Sequence, residues 1–107
     1  MSLDVWLTAT QPVMVFDGNI THNLNTMAMA AGIYEAIWRP EELGIGYAHQ
    51  LSKYLETGLT ALRADPEYFQ TMNPENGWGS YETLVGFVEK YLDACREYPN
   101  AEIGVSR

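Results

Sequence analysis

The stretch Leu3-Asp4-Val5-Trp6-Leu7-Thr8-Ala9-Thr10-Gln11-Pro12-Val13-Met14-Val15-Phe16 decides the fold. Leu3, Val5 and Leu7 alternate with Asp4, Trp6 and Thr8, the two-residue period of a strand with one buried face. Thr10-Gln11-Pro12 reads as a turn. Val13 to Phe16 is a continuous apolar run, which predicts a second and more deeply buried strand paired with the first as a hairpin. Asp17-Gly18-Asn19 carries turn chemistry and is expected to end that strand.

Downstream the period changes to helical. Thr21 is a good N-cap for a helix running to about Ala31, with Leu24, Met27, Ala28 and Ala31 on one apolar face. Gly32 supplies its C-cap. Residues 33–38 read either as helix resumed after a kink or as an extended loop. Pro40 opens a short turn that Gly44 closes, with Glu41 and Glu42 at its positive end. A long helix is predicted from about Gly46 to Ala64, with the stripe Ala48, Leu51, Leu55, Gly58, Leu59 and Leu62. Gly58 inside that stripe implies close backbone packing. Asp65-Pro66-Glu67 starts a short helix to Thr71. Residues 73–79 form the longest irregular stretch. Ser80 caps a last helix to about Tyr98, whose stripe is Tyr81, Leu84, Val85, Val88, Tyr91, Leu92 and Cys95. Ala101, Ile103 and Val105 then alternate with Glu102 and Gly104, a strand expected to return to the hairpin.

The expected fold is therefore α+β, a single domain over residues 1–107. A small, mainly antiparallel sheet, built from the N-terminal hairpin and the C-terminal strand, carries about three main helices on one face. At 107 residues there is room for one core, and no repeat or linker divides it.

Composition excludes several classes. With 47% hydrophobic residues the chain is no disordered acidic tail. No apolar run approaches the ~18 residues of a membrane span. A net charge of −8, with the cations Arg39, Lys53, Arg63, Lys90, Arg96 and Arg107 dispersed, argues against direct nucleic-acid binding. The acidity reads as solubility; the longest acidic run, Glu41-Glu42, gives polyanion mimicry little support. Cys95 is the only cysteine, so no intramolecular disulfide forms, as in a reducing compartment. Its place on the apolar stripe marks a structural thiol rather than a nucleophile. The start Met1-Ser2-Leu3-Asp4 lacks a signal peptide's basic and apolar regions, and a cytoplasmic location is expected.

Three clusters can carry binding chemistry. At the start of the first helix, unpaired backbone amides with His22 and Asn23 can attract an anion; otherwise Thr21 caps and the polar side chains face water. In the second cluster, Tyr34-Glu35 with Trp38-Arg39, Tyr34 and Trp38 can stack on a flat ring while Arg39 binds a carboxylate or phosphate. Its plainer reading puts Trp38 in the core and pairs Arg39 with Glu35, Glu41 or Glu42. The third is Asn76-Gly77-Trp78-Gly79, where two glycines flank a tryptophan that either projects as a binding residue or plugs the core. The two histidines lie 27 residues apart without metal-ligand spacing, so no metal or cofactor is expected. With thirteen aromatic residues in a domain this small, some must be exposed, which suggests an interface or a ligand pocket.

The segments Asn19-Ile20-Thr21-His22-Asn23-Leu24, Ala31-Gly32-Ile33-Tyr34-Glu35, Ile37-Trp38-Arg39-Pro40-Glu41-Glu42, Asn76-Gly77-Trp78-Gly79-Ser80-Tyr81-Glu82 and residues 101–107 together resemble a group of small phage- and prophage-associated proteins of unassigned function. The resemblance spans nearly the whole chain and implies a phage context, and with it the host cytosol; it implies no activity. The expected function is non-catalytic capture of a small planar anionic ligand by His22, Asn23, Tyr34, Glu35, Trp38, Arg39 and Trp78. In a phage this would be a sponge for a nucleotide-type defence signal, with a homo-oligomer able to build the pocket from two chains. One alternative is an acidic inhibitor of a basic host protein that handles nucleic acid. The other is a small hydrolase using His22 and Glu35.

Overall fold

The alternation of the first strand carries through into the sheet. In the computed structural model, which describes all residues 1–107, β1 (Ser2–Thr8) buries Leu3, Val5 and Leu7 and turns Asp4 to solvent. β1 is the central strand. β2 (Met14–Thr21) and β3 (Glu102–Ser106) flank it, both antiparallel, in the order β2-β1-β3. On the open face Trp6 lies flat across Gly104, where any Cβ would fall 2.1 Å from the indole.

β2 departs from the sequence reading in two ways. It continues through Asp17-Gly18-Asn19 to Thr21, because β1 pairs along its whole length, from Ser2 with Thr21 to Thr8 with Met14. Asn19 supports that register by donating from Nδ2 to Asp4 Oδ1 at 2.7 Å and to Ser2 Oγ at 2.8 Å. Cross-strand pairing has overridden local turn preference. Nor is the run 13–16 deeply buried: Val13 and Met14 are exposed and Val15 and Phe16 only half-buried, because β2 is an edge strand.

The helices are α1 (Asn25–Ala30), α2 (Tyr34–Trp38), α3 (Ala48–Ala64), α4 (Pro66–Gln70) and α5 (Tyr81–Glu97). Thr21 caps as expected, but what it caps is a 3-10 turn, His22–Leu24, that leads into α1. The ambiguous segment becomes α2. Gly32, at φ 78°, makes the left-handed turn between α1 and α2. Ser80 caps α5, accepting from the Thr83 amide. α3 and α5 run antiparallel, braced at their outer faces by Arg63 with Glu89 and Arg96 with Glu56. Buried side chains from sheet and helices form one continuous hydrophobic core. No helix is long and apolar enough to cross a membrane.

Gly58 sets the approach of the α1–α2 turn to α3. A Cβ there would stand 2.0 Å from Ile33 Cγ2, so Ile33 rests directly on the helix backbone. Gly86, in the middle of α5, has open space at the same position. The two sites give opposite predictions. Gly58→Ala should lower stability by about 1–3 kcal/mol through overpacking. Gly86→Ala should raise it by about 0.5–1 kcal/mol through helix propensity. Urea midpoints for both variants check the signs.

Candidate functional site

Trp38 is not open to solvent. It is 2% exposed, as buried as its helix neighbours Ala36 and Ile37, and this corrects the expectation that its indole stacks on a ligand. Burial of an indole requires a partner for its N–H. That partner is His22: Trp38 Nε1 donates to His22 Nδ1 at 2.9 Å. With Nδ1 accepting, the neutral imidazole carries its proton on Nε2. Tyr34 covers the indole, with ring centroids 5.3 Å apart and planes at 19°. Trp38 is thus a core residue that positions His22 and Tyr34.

The anion site expected at the first helix start is also absent. The His22 amide donates to the Met1 carbonyl, the Asn23 amide to Thr21 Oγ1, and the Asn25 amide to the His22 carbonyl. The turn that Thr21 builds uses the donors that an anion would need. Asn23 itself is exposed.

Arg39 is engaged too. Its Nη1 lies 3.2 Å from Glu42 Oε2, with both side chains partly exposed. The Tyr34 hydroxyl first, and then the Glu42 carboxylate, hold the guanidinium above its ordinary value. Glu41 is matched by Arg107, whose Nη1 donates to its carboxylate and to the Trp38 carbonyl, each at 2.8 Å. Arg107 holds the Glu41 carboxyl below its usual range.

Trp78 is 67% exposed, so its loop presents the ring rather than plugging the core with it. Gly79, at φ 93°, packs against the capped turn: a Cβ there would lie 2.8 Å from Thr21 Cγ2 and 3.0 Å from Leu24 Cδ1. The three sequence clusters therefore form one chain of contacts, from the Trp78 loop through the His22 turn to Trp38 and Tyr34. Trp78 nevertheless lines none of the surface hollows.

One of five surface hollows is walled by Tyr34. It has a volume of about 480 Å³ and is lined by Met29, Gly32, Tyr34, Glu35, Ala36, Leu43 and Tyr54. A second hollow of about 370 Å³, lined by Gly32, Lys53, Tyr54 and Thr57, adjoins it through Gly32 and Tyr54. Of the residues singled out from sequence, Tyr34 and Glu35 reach this groove. Met29, Leu43, Lys53, Tyr54 and Thr57 were missed. For Met29, Leu43 and Tyr54 the one sequence signal is apolar or aromatic character outside the core stripes, Met29 and Leu43 being exposed and Tyr54 half-buried beside the α3 stripe; Lys53 and Thr57 carry no such signal.

No cluster of three His, Cys, Asp or Glu side chains is placed to hold a metal ion. His22 and Glu35 share no hydrogen bond; the imidazole is turned to Trp38 and the carboxylate to the groove. Cys95 is fully buried, and burial pushes its thiol from 9.0 up to about 12. The Tyr91 hydroxyl nearby is buried without a hydrogen-bond partner, and burial raises its ionisation further still. No protein-family model, curated protein or solved structure matches the chain.

His22→Leu leaves a buried indole N–H without an acceptor and should cost about 1–3 kcal/mol. The further change Trp38→Phe should cost less in the His22→Leu background than in the wild type, as a double-mutant cycle of urea unfolding will show. The folded state also binds the Cys95 proton more tightly than the unfolded chain. Stability present below pH 9 should therefore be lost as pH rises from about 9 to about 12. Denaturation at stepped alkaline pH should show a shallower decline in Cys95→Ala.

Proposed function

We propose that the protein is a non-catalytic binder of a small planar ligand with negative charge, held in the groove between Tyr34 and Tyr54. The observation that carries this reading is the coincidence of two half-buried tyrosines in one hollow of about 480 Å³. That volume lies within the ~300–1,000 Å³ of small-molecule sites. Apolar walls from Met29, Ala36 and Leu43 suit a flat ring, and Glu35 offers one acceptor for its donor groups. Positive charge stands at the rim in Lys53, which lines the adjoining hollow. In a phage, capture without turnover would lower the free concentration of a nucleotide-type defence signal.

The alternatives have less behind them. Glu41 and Glu42, the surface a basic partner would meet, are already matched by Arg107 and Arg39. A hydrolase would need His22 and Glu35 to act together, and no hydrogen bond joins them.

Calorimetry against a panel of nucleosides, nucleotides and cyclic nucleotides tests the proposal. One class should bind and be recovered chemically unchanged. Tyr54→Ala should weaken it by roughly 10- to 100-fold, the value of one base–aromatic stack. Silence across the panel, or binding indifferent to both Tyr34→Ala and Tyr54→Ala, would overturn it.

A further inference from the structure

Most of the chain's positive charges are matched. Of its six cations, Arg39, Arg63, Arg96 and Arg107 each form an ion pair, which leaves Lys53 and Lys90. Lys90 lines no hollow, whereas Lys53 lines the one beside the groove. Its ammonium stands 5.7 Å from the Tyr54 ring centroid, beside the residue shared by both hollows. Thr57 follows Lys53 by one helical turn and therefore lies on the same face of α3. Its Oγ1 donates to the Lys53 carbonyl at 2.9 Å. That carbonyl has the Thr57 amide as its helical partner, so the hydroxyl is free to turn its hydrogen elsewhere. Gly32 has nothing within 4 Å where a Cβ would stand, which leaves the passage between the hollows open.

The geometry points to a division of labour in the groove: Lys53 and Thr57 hold a single phosphoryl group while the tyrosine-lined hollow takes the ring. This rests on the ligand reading proposed above and names the ligand class as a nucleoside monophosphate or its equivalent. The limit of one phosphoryl group follows from charge. Lys53 is the one unpaired cation at the hollow, and each further phosphate would enter the field of a protein with net charge −8. The anion-holding role expected of Arg39 thus passes to Lys53.

The test uses the ¹⁵N-labelled full chain with methyl phosphate, a nucleoside, its monophosphate and its triphosphate, at constant ionic strength. Methyl phosphate should shift the amides around Lys53, Thr57 and Gly32. The shift should vanish in Lys53→Gln, weaken in Thr57→Val and persist in Lys90→Gln. The monophosphate should bind about tenfold more tightly than the nucleoside, a gain lost in Lys53→Gln, and the triphosphate no more tightly than the monophosphate. Methyl phosphate shifts that are absent, or that survive in Lys53→Gln, overturn the phosphoryl site; tighter triphosphate binding overturns the limit to one group. The nucleoside arm reports on the ring site alone. A nucleoside that leaves Tyr34 and Tyr54 unmoved defeats the groove reading, while the methyl phosphate arm still decides the anion pocket.

Discussion

The hydrogen bond from the Trp38 indole to His22 Nδ1 is the contact on which the rest of the molecule's presented surface depends. It joins the turn that leaves β2 to the last residue of α2, sixteen positions later. α2 has only five residues, too few to hold its own orientation by helical bonds alone. A deeply buried indole holds it instead, because the ring gains apolar burial while the imidazole removes the cost of a lone N–H. Arg107 reaches the Trp38 carbonyl, so the end of β3 converges on the same point. Once the indole is fixed, Tyr34 stacks on it and is held where it walls the groove.

Ion pairs contribute differently. All four are exposed, and pairs of that kind are worth ~0–1 kcal/mol each. A single buried Leu or Phe side chain contributes roughly 1.5–3 kcal/mol, so the core and not the charges holds α3 to α5. What the pairs do decide is which cations remain available. By matching every arginine, they leave the groove's charge to a lysine on α3.

Much of the fold was legible because period and capping agree. Alternation in β1, the strand at β3, the α3 stripe, the Ser80 cap and the Gly32 stop became what they predicted, and Gly58 packs as closely as its place in the stripe implied; in α5 the buried face also takes in Phe87 and Ala94, while Val85 is only half-buried. The second strand was misread where local turn chemistry met a long-range partner, since the demand of β1 for a pairing neighbour is invisible around Asp17-Gly18-Asn19. The site was legible only in part. Tyr34 and Glu35 were found, but Trp38 was assigned outward because a tryptophan beside an arginine looks the same in sequence whether its indole faces solvent or a histidine sixteen residues earlier. Lys53, Tyr54 and Thr57 lie off the stripe that drew attention in α3, and their meeting with Gly32 is a product of the chain reversal between α1 and α2.

The central claim is that residue 38 is an anchor rather than a binding surface, and NMR of the free protein reads it directly. Its indole N–H should exchange with solvent far more slowly than that of Trp78, and neutral His22 should carry its proton on Nε2. A Trp38 indole exchanging as fast as the exposed one, or a His22 ring protonated at Nδ1 in the neutral form, would contradict the account.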